Sequence, residues 1–191
     1  MNLVHHWFCR SEFWQRKVEQ KLLPWALRNV ALGDQVLEVG SGPGLTTNIL
    51  RHRTQQLTAL EIDTGLADSL KQRLHGTNVK VIEGDATAMP FPENFFSGAV
   101  CFTMLHHVPS PVLQDQLLSE VRRVLKPGAV FAGSDSTTSL PFRLLHINDT
   151  MVMVEPKTFS RRLEQAGFGK VTVEVGKGAF RFRACKPANN N

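Results

Sequence analysis

Three glycines alternate with other residues in the stretch VLEVGSGPGL, after an apolar run that contains one carboxylate, Glu38. At Gly40, Gly42 and Gly44 a ligand can approach the backbone without a Cβ in the way, and glycine permits a positive φ. A helix that begins near Thr46 would point its first N–H groups at such a ligand, which favours a carboxylate or a phosphate. The pattern predicts a ligand-binding turn at the end of a strand.

The spacing of these glycines excludes two common nucleotide motifs. The dinucleotide fingerprint is G-x-G-x-x-G, but position 45 is Leu and the third glycine comes one residue early. The sequence also lacks the G-x-x-x-x-G-K-[ST] phosphate loop. The turn therefore calls for a ligand of another kind.

The elements that must position this turn alternate along the chain. Short runs rich in Val, Ile and Leu have the length of strands buried on both faces, and helical periodicity separates them. The predicted strands lie in QVLEVG, LTALEID, VKVIEGD, GAVCFTM and AVFAGSD. The predicted helices lie in LTTNILRHR, in GLADSLKQRLHG, which should end at Gly76, and in VLQDQLLSEVRRVLKPG, which should end at Pro127–Gly128. This alternation predicts an α/β fold with a parallel sheet and right-handed crossovers.

The pattern changes after Asp135. A loop-like segment runs to Val154, a helix is expected from about Pro156 to Ala166, and two alternating runs then flank the turn at 176–178. Alternating runs around a glycine-rich turn are typical of a β-hairpin. The sheet is therefore expected to end in an antiparallel pair.

Composition describes an ordinary globular protein. The 191 residues are 42% hydrophobic and 20% charged, which suits one domain with a sizeable core. No apolar run is long enough to span a bilayer and the N-terminus lacks a secretory pattern, so we expect a cytoplasmic protein. The three cysteines lack C-x-x-C spacing, and no metal site is predicted.

Charge is unevenly distributed along the chain. Lys and Arg outnumber Asp and Glu by 5 to 2 in residues 1–28 and by 8 to 2 in 157–191, whereas residues 29–156 carry 9 against 13. Basic ends could present a rim to an anionic partner such as RNA or a membrane surface. They could equally be solvated side chains that maintain solubility.

The stretch LEVGSGPG resembles the first motif of the class I S-adenosylmethionine-dependent methyltransferases, and further motifs follow at that family's distances. The resemblance implies that Glu61 holds both ribose hydroxyls of the cofactor, a task that suits a carboxylate because it accepts two hydrogen bonds. It also implies that Asp85 accepts from the adenine amino group while the Ala86 N–H faces the ring. Glu38 matches the carboxylate that orients the glycine loop, often through water, near the methionine amino group.

The resemblance is strong from about Gln35 to Gly133 and includes CFTMLHHV and EVRRVLKPGAVF, which are similar to the fourth strand with its exit loop and to the lead-in of the fifth. It implies a Rossmann-like, doubly wound seven-stranded sheet and S-adenosyl-L-methionine as cofactor. One departure is Phe96-Ser97, where the family usually has Phe-Asp with a mainly structural Asp. The expected cofactor-binding residues are Glu38, Gly40, Ser41, Gly42, Gly44, Glu61, Ile62, Asp85, Ala86 and Phe102.

The chain is expected to form a single methyltransferase domain over 1–191. Its parts are an N-terminal helical lid (1–30), a cofactor-binding core (35–135), a variable substrate segment (136–154) and a C-terminal helix and hairpin (155–187). In the lid, Phe13 or Trp14 shares a helical face with Val18 and Leu22, and Pro24 should break the helix before a second short one. The expected substrate-contacting residues are Trp7, Trp14 and Phe142.

Methyl transfer from a sulfonium is an in-line displacement. Holding the nucleophile, the methyl group and the sulfur in line can therefore lower the activation barrier by about 7–11 kcal/mol. An acceptor atom with a high pKa would also need a base, and histidine suits that role. The candidates are His106, His107 and His146, although an LHH sequence is common at this position in the family and one of its histidines could simply pack under the loop.

The apolar residues of the lid and of the variable segment favour a small, partly hydrophobic organic acceptor. RNA is the alternative, because residues 36–86 are similar to the ribosomal RNA adenine dimethyltransferases. Those enzymes carry N-L-P-Y or a near relative after the fourth strand, whereas this chain has CFTM and contains no Tyr. A third hypothesis is a cofactor-binding partner subunit without activity. The sequence predicts no oligomeric state.

Overall fold

The computed structural model describes residues 11–137 and 151–188. Its strands form one seven-stranded sheet in the order β3-β2-β1-β4-β5-β7-β6, where the labels denote β1 (Gln35–Val39), β2 (Gln56–Glu61), β3 (Val79–Glu83), β4 (Phe96–Phe102), β5 (Leu125–Ser136), β6 (Gly169–Val175) and β7 (Ala179–Cys185). Strands β1 to β5 pair in parallel, and β7 is antiparallel to β5 and β6. The predicted fold is confirmed: a mostly parallel, Rossmann-like α/β sheet with a C-terminal antiparallel hairpin.

Helices cover both faces of this sheet. They are α1 (Glu12–Lys17), a π-helical segment (Val18–Leu22), α2 (Leu23–Ala26), α3 (Leu45–Leu50), α4 (Thr64–Arg73), α5 (Pro111–Val124) and α6 (Pro156–Gln165). Helices α5 and α6 pack on one face, through residues such as Leu117 and Phe159. The N-terminal helices, α3 and α4 pack on the other face. The sheet is therefore doubly wound, and its carboxyl edge is left open for a ligand.

The predicted break at Pro24 is wrong. Helix α1, the π-helical segment and α2 form one continuous run from Glu12 to Ala26. The N–H of Leu23 donates to the carbonyl of Val18, five residues back. A π-turn is wider than an α-turn and shifts the hydrogen-bond ladder by one residue, so the helix continues past a proline that has no N–H to donate.

Two predicted helix ends are also displaced. Helix α4 ends at Arg73 rather than at Gly76, and α5 ends at Val124 rather than at Pro127–Gly128. Leu125 is already extended, with ψ 142°, and pairs with Phe96 as the first residue of β5. A residue that precedes proline avoids the helical region, which removes Lys126 from the helix as well.

Ser97, which departs from the family pattern, anchors the start of β1. Its Oγ lies 3.1 Å from the carbonyl oxygen of Leu32, and 2.9 Å from both the N and the O of Gln35. A hydroxyl thus joins β4 to the segment that enters β1.

Among the described helices, none combines the length and apolar composition that crossing a bilayer requires.

Candidate functional site

The three glycines of the turn after β1 have different physical reasons to be glycine. All have positive φ: 71° at Gly40, 52° at Gly42 and 83° at Gly44. A Cβ on Gly40 would lie 2.3 Å from Met104 Cγ, and one on Gly44 would lie 2.2 Å from Leu70 Cδ1. A Cβ on Gly42 would meet no atom of the described residues within 4 Å. Packing therefore excludes a side chain at the outer two positions, whereas Gly42 leaves bare backbone facing open space.

Glu61 joins this turn to the end of β2. Its carboxylate accepts from the Gly42 N–H at 2.6 Å and from the Asp63 N–H at 3.0 Å. The side chain is buried, yet it lies on the wall of the cleft described below. Each carboxylate oxygen has a second lone pair, so Glu61 can hold the turn and still accept from the hydroxyls of a ligand.

Glu38, the carboxylate inside β1, lies behind the turn. Its oxygens accept from the Thr46 and Thr47 hydroxyls, the latter at 2.6 Å, and these threonines belong to the first turn of α3. Burial raises the pKa of Glu38 from 4.5 to about 7, opposed by the two hydroxyl bonds and reinforced by the nearby charge of Glu61. Through its bonds to Thr46 and Thr47, Glu38 holds the first turn of α3 against the end of β1.

Asp85, which the resemblance assigns to the adenine amino group, and Ile62, another expected cofactor-binding residue, both line the cleft described below. Asp85 is exposed after β3, and its Oδ1 accepts from both the N–H and the hydroxyl of Thr87, at 2.8 and 2.9 Å. Ile62 follows Glu61 and is 67% exposed, which is unusual for a large aliphatic residue. An exposed aliphatic side chain beside a fixed carboxylate suits a flat ring that carries an amino group.

These elements border one cleft of 1290 Å³ at the carboxyl edge of the sheet. The predicted residues that it brings together are Trp14, Gly40, Ser41, Gly42, Glu61, Ile62, Asp85, Ala86, Phe102, His106 and His107. Glu38 and Gly44 do not line the cleft and support it from behind. Trp7, Phe142 and His146 lie outside the described residues.

His106 is held by an acid that the sequence did not single out. Its Nδ1 lies 2.5 Å from Asp135 Oδ1, and its backbone N–H donates to Asp135 Oδ2 at 3.1 Å. Both side chains are about 1% exposed. The His107 ring is less buried and its centroid lies 4.2 Å from that of His106. Asp135 is the last residue but one of β5, near the same edge of the sheet as Glu61 at the end of β2, and that position was the available indication.

Other lining residues were also missed. Lys17, Lys21 and Trp25 border the cleft from the N-terminal helical run, and Met104 borders it after β4. Thr103 adopts φ 48°, a left-handed conformation that is costly for a β-branched residue, at the exit of β4. The described residues contain no group of His, Cys, Asp and Glu side chains suited to a metal ion.

The polar groups that line the cleft fit S-adenosyl-L-methionine. Glu61 and Asp85 offer acceptors at the ends of adjacent strands, and Gly42 offers bare backbone between them and β1. The buried Ser41 Oγ has no hydrogen-bond partner among the described residues, and Ser41 lies on the cleft wall. A ligand with an amino-acid tail, sugar hydroxyls and a base could use each of these groups.

A family model described as a methyltransferase domain matches residues 37–133. The sterol methyltransferase-like 3 protein of Botryococcus braunii is 33% identical over 150 residues, which cover 72% of this chain and 36% of that protein. An rRNA adenine N-6-methyltransferase of Saccharopolyspora erythraea is 48% identical over 68 residues, 34% of this chain and 18% of that protein. The chain thus spans about a third or less of the length of these two curated relatives.

A solved structure of similar fold is phosphoethanolamine N-methyltransferase 2 of Haemonchus contortus, in complex with phosphomonomethylethanolamine and S-adenosylhomocysteine. Its TM-score is 0.76 at 15% identity, and the match covers 96% of this chain and 56% of that one. Fold, glycine turn and family model agree. The chain belongs to the class I S-adenosylmethionine-dependent methyltransferase family, whose cofactor is S-adenosyl-L-methionine.

Proposed function

We propose that this protein transfers a methyl group from S-adenosyl-L-methionine to a small, partly hydrophobic organic acceptor by in-line displacement. One observation carries the proposal: beyond the glycine turn the cleft wall is mainly apolar. Trp14, Trp25, Phe102 and Met104 border this part of the cleft. Apolar walls with few polar groups are typical of small-molecule sites.

The cofactor, when bound, supplies an activated methyl group, and the residues of the chain supply position. In this proposal Glu61 accepts from the ribose hydroxyls, Asp85 accepts from the adenine amino group with the Ala86 N–H facing the ring, and Gly42 lets the amino-acid tail approach the backbone. The bonds of Glu61 to two backbone N–H groups support its role, because they fix the carboxylate before any ligand arrives. Such preorganisation lowers the cost of ordering the site when the cofactor binds, and a fixed cofactor keeps its methyl group in place for displacement.

A base is needed only if the acceptor atom carries a proton with a high pKa. Two of the three candidate histidines lie in the described residues. His106 is fixed by Asp135, whereas His107 is half-buried on the cleft wall. We propose that one of the pair receives the proton and that the other packs under the loop, as the sequence suggested. Substituting each with Gln, and comparing the pH profiles of the rates, would distinguish them.

A labelling experiment tests the acceptor class. The protein is incubated with methyl-labelled cofactor and cell extract, and the extract is then separated into RNA, protein and small-molecule pools. We expect the label in the organic-soluble small-molecule pool, and less of it with Glu61→Ala at a limiting cofactor concentration, which serves as the matched control. Label confined to RNA would overturn the proposal. Cofactor binding without transfer to any pool would instead indicate a partner subunit that has no activity of its own.

RNA is the second candidate, because the 48% identity to an rRNA adenine N-6-methyltransferase favours it. That match covers 34% of this chain. At the exit of β4 the chain presents Phe102, Thr103 and Met104, which offer no side-chain amide and no proline to hold an extruded adenine. A small-molecule acceptor therefore remains the first proposal.

A further inference from the structure

The N-terminal helical run presents one continuous stripe to the cleft. The residues of the stripe are Trp14, Lys17, Val18, Lys21, Leu22 and Trp25. They recur at intervals of three and four positions, as the residues of a single helical face do. Apolar side chains are expected on a face that borders an apolar cleft, but the two lysines between them are not. They therefore need a reason to face the cleft.

No carboxylate of the described residues neutralises either lysine. Within residues 11–137 and 151–188, Lys17 and Lys21 form no ion pair with a carboxylate, although both are exposed. The Lys17 ammonium lies 5.1 Å from the centroid of the Trp14 ring, which places a charge directly beside an apolar wall. Each lysine is thus available to an anion that enters between the aromatic residues.

A third lysine reaches the same part of the cleft from the C-terminal hairpin. Lys177 lies in the turn between β6 and β7, and it also lines the cleft. The turn packs on the helical run, because a Cβ on Gly176 would lie 3.1 Å from Trp25 Cζ2. The described salt bridges do not involve Lys177. The contact with Trp25 places Lys177 on the same side of the cleft as the helical run.

The acidic residues of the cleft occupy its other half. Glu61 ends β2, and Asp63 and Asp85 follow β2 and β3. These two strands lie on one side of β1 in the sheet, whereas the hairpin with Lys177 lies at the opposite end. The acidic half suits a cofactor with hydroxyl and amino donors and a cationic sulfur. The basic half, which also carries Trp14 and Trp25, is left for the acceptor.

We propose that the methyl acceptor carries an anionic group, a carboxylate or a phosphate, held by Lys17 and Lys21 with Lys177 opposite, while its apolar body lies between Trp14 and Trp25. This inference rests on the proposed small-molecule function. An ammonium group is a point charge that attracts either anion, and the attraction strengthens where apolar walls displace water.

Equilibrium binding tests this proposal without requiring turnover. Protein saturated with S-adenosylhomocysteine is titrated calorimetrically with three probes of the same apolar body: naphthoate, naphthyl phosphate and naphthylmethanol. The two lysine contacts predict that the better anion binds roughly tenfold more tightly than the neutral alcohol. Comparing naphthoate with naphthyl phosphate shows which anion is preferred. In the variant Lys17→Gln, Lys21→Gln the preference should fall below about threefold.

The matched control is Lys157→Gln with Lys170→Gln, which removes two exposed lysines away from the cleft and should retain the preference. Equal binding of alcohol and anions by the native protein would overturn the proposal, as would a preference that survives in the Lys17, Lys21 variant. Lysine-dependent binding of an RNA oligonucleotide, with no probe bound, would assign these charges to nucleic acid instead. If the native protein does not bind S-adenosylhomocysteine at all, the proposed function itself is refuted.

Discussion

Replacing Glu38 by Gln should change the pH dependence of stability in the cofactor-free protein. Burial raises the pKa of this carboxyl to about 7 in the folded state, whereas its ordinary value is 4.5. A group whose pKa is raised by folding contributes fully below the unfolded pKa, and the contribution is lost as the pH rises through the folded pKa. Between pH 4 and pH 8 the native protein should therefore lose about 3 kcal/mol through Glu38 alone.

The Gln side chain carries no charge and is free of this loss. It keeps one acceptor oxygen for Thr46 or Thr47 and gives up the other, which costs about 1 kcal/mol at every pH. The variant should be about 1 kcal/mol less stable than the native protein at pH 4 and about 2 kcal/mol more stable at pH 8. Urea unfolding, followed at several pH values between these limits, measures both curves.

Thr47→Val should have the opposite effect on the pH dependence of stability from Glu38→Gln. It removes one of the two hydroxyl bonds that favour the charged carboxylate, so the pKa of Glu38 should rise further and the loss of stability should extend to higher pH. If the native and Glu38→Gln curves instead run parallel from pH 4 to pH 8, Glu38 does not change its pKa on folding and the reasoning from burial is refuted.

The remaining predictions concern the turn and the acid that holds it. Glu61→Ala should weaken S-adenosylhomocysteine binding at least tenfold, because a bidentate acceptor is lost, and should cost about 2 kcal/mol of stability because two N–H groups lose their acceptor. Gly42→Ala should cost only about 1 kcal/mol, the strain of its φ, yet weaken cofactor binding at least tenfold because its methyl group extends into the cleft. Gly44→Ala should instead cost about 2 to 3 kcal/mol, since its methyl group meets Leu70.

The two glycine variants control for each other. Denaturant unfolding and calorimetric titration should rank them in opposite order, with Gly42→Ala more harmful to binding and Gly44→Ala more harmful to stability. The same rank in both assays would contradict the separate roles assigned to these glycines. For Glu61→Ala, an unchanged affinity would show that this carboxylate does not contact the cofactor.

The sheet could be predicted because its information is local. Each buried strand is a short apolar run, and Gly176 with Gly178 marks the hairpin, so all seven strands were expected close to where they lie. The end of α5 was not predicted, because Leu125 suits either a helix or a strand and its pairing with Phe96 decides between them. The N-terminal helix continues through Pro24 because of a π-turn, and no residue type in this segment predicts a π-turn.

The candidate site was predictable to the extent that its residues follow strands. The family resemblance singled out Glu61 at the end of β2 and Asp85 just after β3, and their roles toward the cofactor remain proposals. Asp135 lies one residue before the end of β5, but its contact with His106 arises only when β5 meets the short helical turn after β4. Lys17 and Lys21 were counted only as part of a basic end. Packing of the helix on the sheet decides which of its faces borders the cleft, and the sequence alone did not show that these two lysines lie on that face.

The cleft is completed by segments that lie far apart in the chain. Arg181 of β7 donates from Nη1 to the Trp25 carbonyl at 2.6 Å, and its guanidinium lies 5.7 Å from the centroid of the Trp25 ring. During synthesis the N-terminal helix leaves the ribosome well before β7, the strand that clamps it. A nascent chain that still lacks β7 would have its glycine turn without the opposite wall, so competence to bind an acceptor should arise only once β7 has been made, in one step rather than gradually.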